Sequence, residues 1–172
     1  MFHYYQPTKI HFGAGQLSEL GHVCKSYGKT CFLVTTPDAP LQPLYERVKK
    51  LLDAEGIRVI HFDRVEPNPS VEIVEQGFAM LKEQPADFVL AVGGGSSIDT
   101  AKAIAFANGK DSIDWDYLFN EYNSPFAYYA SYSKEHLPLL SVPTTSGTGS
   151  QVTQAAIITR GKEKITFFHP DN

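Results

Sequence analysis

Two stretches of this chain combine glycine and hydroxyl residues in a way that suits an anion. They are Gly93-Gly94-Gly95-Ser96 and Pro143-Thr144-Thr145-Ser146-Gly147-Thr148-Gly149-Ser150. The first follows the apolar run Asp87 to Val92 and leads into an alanine-rich stretch. A strand that ends in bare backbone and opens a helix leaves the unpaired amides of the first helical turn facing outward. A diphosphate can approach them closely because no Cβ stands in its way. The spacing departs from the Gly-x-Gly-x-x-Gly fingerprint, and tight strand-to-helix turns also use glycine for geometry alone. The second loop adds weight, since it too follows an apolar run and offers several hydroxyls on flexible backbone. Ligands of open parallel sheets bind outside the carboxyl ends of the strands, so both loops are expected to reach one molecule. A hydroxyl-capped turn is the competing account of the second loop.

No other residues assemble a catalytic centre. The histidines are His3, His11, His22, His61, His136 and His169, and no two stand three or four apart as two ligands on one helix would. All six read as ordinary surface or core residues, and no metal ligand is named. Cys24 and Cys31 have neither disulfide-framework nor zinc spacing and read as reduced thiols, with Cys31 buried at the start of a strand. Fifteen basic against nineteen acidic residues give a net charge of −4 and a pI near 5.8, which excludes a basic surface for nucleic acid. The start, Met1-Phe2-His3-Tyr4-Tyr5, has no leader pattern and no run approaches eighteen apolar residues, so no membrane partner and a cytoplasmic location are expected.

The elements that would carry the two loops alternate between short β-rich runs and longer amphipathic stretches. This is the pattern of an α/β fold, an open, mostly parallel sheet with helices on both faces. With 172 residues the chain suits one domain, 1–172. Strands are expected at Lys9–Phe12, Thr30–Val34, Ile57–Phe62, Asp87–Val92 and Leu139–Val142. Helices are expected at Gln16–Tyr27, around Leu44, Val48, Leu51 and Leu52 with Gly56 at its C′ position, from a Ser70 cap to about Glu83, and at Ser97–Asn108. The prolines of Glu66-Pro67-Asn68-Pro69 forbid a strand there. Asp111 to Leu137 reads as irregular and aromatic, and Gln151–Thr159 pairs with Ile165–Phe168 across Arg160-Gly161-Lys162-Glu163.

From about Tyr5 to Phe168 the sequence resembles the N-terminal, nucleotide-binding half of the iron-containing alcohol dehydrogenase family. The stretches that carry the likeness are Glu66-Pro67-Asn68-Pro69, the run Gly93-Gly94-Gly95-Ser96-Ser97-Ile98-Asp99-Thr100-Ala101-Lys102, and Pro143 to Thr153. The resemblance implies a dehydroquinate-synthase-like N-terminal domain without the C-terminal helical metal domain. It implies NAD or NADP across the sheet, with Gly94, Gly95 and Ser96 at the pyrophosphate and Asn68 near the nucleotide. Asp99 would stand towards the nicotinamide, Thr144, Thr145 and Thr148 would line the crevice, and Lys164 would approach the nicotinamide ribose. The family's divalent metal, iron or sometimes zinc, would sit in the domain that this chain lacks. The substrate of the full enzyme would be a small alcohol or aldehyde, the chain alone would be inactive, and a homodimer with the N-terminal strand at its contact is expected.

Three positions depart from the family pattern. Thr36 stands where many members carry an aspartate that meets the adenosine ribose, and Asp38 follows two residues later, so NAD against NADP stays open. Gln151 replaces a more common glutamate, and the stretch Trp115 to Tyr132 is longer and more aromatic than expected, suited to loop packing or to a lid. Relatives of the dehydroquinate synthase and glycerol dehydrogenase type share the glycine triplet, but Gly147-Thr148-Gly149-Ser150 resembles the alcohol dehydrogenase branch. A non-catalytic nucleotide-binding module is the reading from outside the enzymes.

Overall fold

A computed structural model describes residues 8–125 and 135–172. Its centre is a parallel sheet of β1 (Thr30–Val34), β2 (Arg58–Phe62), β3 (Phe88–Gly93) and β4 (Leu139–Pro143), in the order β2-β1-β3-β4. The two central strands, β1 and β3, are near-continuous apolar runs because both faces are covered, whereas the edge strands β2 and β4 are partly exposed. On β1, Phe32 and Val34 point into one apolar cluster with Ile60, Phe62, Val89 and Ala91, while Cys31 and Leu33 point into the other with Phe88, Leu90 and Val92. Helices α1 (Leu20–Lys25) and α2 (Gln42–Asp53) close the second cluster, through Cys24, Tyr45, Val48 and Leu52. Helices α3 (Val71–Glu83) and α4 (Gly95–Ala107) close the first. The expected α/β class with helices on both faces is what the chain forms.

The chain leaves β1 outward to β2 and returns to β3 on the other flank of β1. The carboxyl ends of β1 and β3 therefore border the place where connections diverge, which is where open parallel sheets form a crevice. Local chemistry sets the boundaries. Ser70 is extended and its hydroxyl accepts from the Ile73 N–H at 3.4 Å, capping α3. Gly56, at φ 72, adopts the left-handed turn that reverses the chain after α2 and leads into β2, one residue beyond the C′ position expected for it. Every residue of α4 from Ser97 to Ala107 is buried, so its small alanines let the sheet, α3 and the hairpin below approach together.

Several expected elements differ. Lys9–Phe12 forms no strand: it finds no ladder partner among the described residues, and Ile10 and Phe12 are 64% and 96% exposed. The helix expected over Gln16–Tyr27 is a 3-10 turn at Gln16–Glu19 followed by the six residues of α1. Helix α4 begins two residues earlier than expected, at Gly95, because Gly94 takes the cap position. The stretch read as irregular contains α5 (Trp115–Glu121), whose start is fixed by the Asp114 carboxylate accepting from the Tyr117 N–H at 2.9 Å. Trp115 and Phe119 are buried and the Trp115 indole donates to Glu75 at 2.8 Å, whereas Tyr117 is exposed. Phe126, Tyr128 and Tyr129 of that stretch lie outside the described residues, as does His3.

The second sheet is the antiparallel hairpin of β5 (Ala155–Arg160) and β6 (Glu163–Phe168), joined by the two-residue loop Gly161-Lys162. The strand expected to begin at Gln151 starts only at Ala155, since Ser150–Val152 form a 3-10 turn after Gly149 at φ 71. The hairpin lies against α4 and α3, and Thr159 forms a bridge with Ser70. Cys24 and Cys31 are both free and buried, and burial pushes the Cys24 thiol up to about 12. No helix among the described residues is long and apolar enough to cross a membrane.

Candidate functional site

At the end of β3 the backbone turns at Gly93, φ 157, and a Cβ there would run into the Ser97 hydroxyl. Gly94 then caps α4, and Gly95 and Ser96 form its first turn with no side-chain cap on their amides. The second loop lies directly over this turn. The Thr144 N–H donates to the Gly93 carbonyl at 2.9 Å, and a Cβ on Gly94 would stand 2.9 Å from Thr145 Oγ1. A Cβ on Gly95 would meet Ser150 Oγ at 3.3 Å and Thr148 at 3.4 Å. The sharp bend thus calls for glycine at Gly93, and the closeness of the hydroxyl loop leaves little room for a Cβ at Gly94 or Gly95.

Beside the turn is a cavity of about 200 Å³ bordered by Asn68, Ser96, Asp99, Thr148, Thr159 and Lys164, with Gly95 at its base. It draws on four separate parts of the chain, and so brings together six of the residues expected at the site. Asn68 is held at φ 57, its N–H donates to Ser96 Oγ at 3.3 Å, and its carbonyl accepts from Thr159 Oγ1 at 3.3 Å. Asp99 is 7% exposed. Its Oδ2 accepts from the Ile157 N–H at 3.1 Å, and its buried Oδ1 has no hydrogen-bond partner among the described residues. Burial raises the Asp99 carboxyl above the usual carboxylate range, against the pull of the Ile157 N–H, the Lys102 ammonium and the Ser150 hydroxyl.

Thr36 and Asp38 stand outside this cavity, just beyond β1. Thr36 Oγ1 donates to Asp38 Oδ2 at 2.8 Å and shares a 2.9 Å hydrogen bond with the Tyr45 hydroxyl, which fixes the Asp38 carboxylate at the sheet's carboxyl edge. Because β1 and β3 are adjacent parallel strands, the glycine turn and the Thr36–Asp38 pair stand at neighbouring strand ends on one edge of the sheet. A glycine cradle with a carboxylate at the neighbouring strand end suits an elongated ligand with a central diphosphate.

The residues that sequence reasoning missed are Thr159, Ser150 and Lys102. Thr159 reaches the site only because β5 folds back on Asn68-Pro69, where its N–H donates to the Pro69 carbonyl at 2.8 Å. Ser150 lines the small cavity and also a larger crevice of about 470 Å³ along the β4 edge, so the loop it belongs to is a partition between the two. Ser150 closes the hydroxyl loop that the sequence already marks, whereas no local signal marks Thr159. Lys102 does carry a signal, a lysine amid the apolar residues of a buried helix. Among the described residues no group of three or more His, Cys, Asp or Glu side chains could hold a metal ion. His136 and His169 instead stack on each other, ring centroids 5.2 Å apart, against Phe106 and away from the cavity.

Comparisons with known proteins give the family. The model of the family described as iron-containing alcohol dehydrogenase matches residues 7–172. The chain is 38% identical over 164 residues to a probable NADH-dependent butanol dehydrogenase of Bacillus subtilis, covering 95% of this chain and 40% of that protein. It is 34% identical to NADH-dependent butanol dehydrogenase B of Clostridium acetobutylicum, covering 99% of this chain and 42% of that one. In structure it resembles an NADH-dependent butanol dehydrogenase of Thermotoga maritima with a TM-score of 0.86 and 28% identity, over 99% of this chain and 42% of that one. The chain thus spans about two fifths of the length of the relatives it matches. With the family model matched almost end to end and the glycine turn, hydroxyl loop and Asp99 gathered at one crevice, the chain belongs to the iron-containing alcohol dehydrogenase family.

Proposed function

We propose that residues 1–172 form the cofactor-binding domain of a metal-dependent, NAD-linked alcohol dehydrogenase acting on a small alcohol or aldehyde. The observation that carries this reading is the open first turn of α4 under the hydroxyl loop, with Asp99 lining the cavity beside it. Gly94, Gly95 and Ser96 would take the pyrophosphate on backbone amides and the helix dipole. Thr144, Thr145 and Thr148 would wall the crevice, Asn68 would border the nucleotide, and Asp99 and Lys164 would address the nicotinamide end. When bound, the nicotinamide supplies the hydride acceptor and a divalent ion the Lewis acid for the alcohol oxygen. The ion, iron or zinc, would be held by residues beyond these 172, so this part of the chain contributes orientation and is inactive alone. Calorimetric titration of the chain with NADH is expected to give saturable heat; no heat with either NADH or NADPH overturns the reading.

NAD is favoured over NADP because the Asp38 carboxylate, pinned by Thr36, would accept from the adenosine ribose and repel a 2′-phosphate. Asp38→Gly should raise NADPH affinity by roughly 10-fold, about 1.4 kcal/mol, and lower that for NADH. Equal NADPH binding by wild type and variant would remove Asp38 from the site. Self-association is proposed on the extended segment at Lys9–Phe12, which presents Ile10 and Phe12 to solvent without an intrachain partner strand among the described residues. Light scattering that finds only monomer would refute it. A cytoplasmic setting fits two buried cysteines that remain free.

A further inference from the structure

Lys102 is 1% exposed, and a lysine is almost never buried so completely without a task for its ammonium. It donates to the Thr153 carbonyl at 2.6 Å and to the Ala155 carbonyl at 2.7 Å. One helical turn earlier on α4, Asp99 accepts from the Ile157 N–H. Two side chains of the same helix therefore grip alternate backbone groups at the start of β5, a donor on carbonyls and an acceptor on an amide. They do so from opposite sides of the partition, since Lys102 lines the larger crevice and Asp99 the smaller cavity. The helix that makes this grip is the one whose first turn holds Gly95 and Ser96. The hairpin that is gripped carries Thr159 and Lys164, which form the opposite wall of the cavity.

We propose that Lys102 is a positioning residue for the cofactor: it locks the start of the β5–β6 hairpin to α4, so that Thr159 and Lys164 stand at a fixed height over the part of the dinucleotide beyond the diphosphate. The proposal rests on the cofactor reading above. Burial holds the Lys102 ammonium down to about 8, with Asp99 pulling the other way, so the group is kept charged at a cost that the two carbonyls offset. Thr36 and Asp38 are held by each other and by Tyr45, and the amides of the glycine turn belong to α4 itself, so the hairpin reaches these two stations only indirectly, through Asn68.

The test compares NADH with ADP, which has the adenosine and diphosphate but nothing beyond them. Lys102→Met keeps the length and volume of the stem and removes the donors. In it, NADH affinity should fall at least about 10-fold while ADP affinity stays within about twofold, a split that general loosening of the fold would not produce. Lys102→Arg, which restores a cation with donors, should recover part of the NADH affinity. Parallel losses for both ligands, or no loss for NADH, overturn the proposal. Wild type that binds neither ligand removes the cofactor reading itself and is thereby distinguishable. Should Lys102→Met fail to fold, amide exchange on the wild type decides: NADH should protect residues 155–160 and ADP should not, and equal protection by both overturns the positioning role.

Discussion

Gly95→Val should lower NADH affinity at least about 100-fold, roughly 2.7 kcal/mol, while the fold persists. Gly95 is the first residue of α4 and does not use the left-handed backbone that only glycine tolerates, so valine can occupy it without strain in φ. Its Cβ would stand 3.3 Å from Ser150 Oγ and 3.4 Å from Thr148 Cβ, which asks the loop to yield by a few tenths of an ångström. The two γ-methyls would then fill the gap between the first turn of the helix and the hydroxyl loop. A diphosphate held there would lose two or more charge-assisted bonds to backbone amides, each worth about 1.5–3 kcal/mol. Calorimetry checks the affinity and a thermal melt within a few degrees of wild type checks the fold. Undiminished NADH binding in a folded variant would take the glycine turn out of the binding site. Gly93 is a poorer probe, because its φ of 157 and the Ser97 hydroxyl in the path of a Cβ make any substitution there a folding defect first.

The second large effect is loss of stability in mild acid. His169 is 2% exposed, with His136 stacked on it and Phe106 and Tyr122 around it, ring centroids 5.1 Å and 5.5 Å away. Burial, the neighbouring His136 and the Lys110 ammonium hold the His169 imidazole down to about 4. Its Nδ1 accepts from the Asp171 N–H at 3.2 Å, which requires the neutral ring. A folded-state value below the unfolded 6.5 means that the unfolded chain binds more protons between them. The stability is therefore fully present above about pH 6.5 and lost as the pH falls through 4, on the order of 3 kcal/mol for a shift of this size. His136, also lowered by burial, acts in the same direction. Urea denaturation at pH 7, 6 and 5 should show the decline before most carboxylates titrate, and His169→Phe should make it shallower. Identical pH slopes in wild type and variant would refute the assignment.

Much of this protein was legible one residue at a time. The apolar runs at 30–34 and 87–92, the Ser70 cap and the left-handed Gly56 each follow from rules that act within a few residues, and each stands close to where its sequence puts it. The glycine triplet was legible for the same reason, since a strand-to-helix bend without Cβ atoms is a local demand on the chain. The elements misjudged were those whose state depends on distant partners. Lys9–Phe12 alternates like a strand, yet alternation makes a strand only where another offers its amides and carbonyls. The short helix α5 hid in an aromatic stretch because its stability comes from burying Trp115 and Phe119 on the α3–α4 side, not from propensity.

The sequence by itself determined the α/β alternation, the parallel character of the buried strands and the residue types at the phosphate turn, because periodicity, proline and glycine act through nearest-neighbour sterics. Only the tertiary structure decided that Asn68, Asp99, Thr159 and Lys164 share one cavity, that Asp99 accepts from the Ile157 N–H, and that Lys102 points at two carbonyls some fifty residues downstream. Side chains so far apart in sequence meet only once the hairpin has folded over α4, and no short-range rule encodes that meeting.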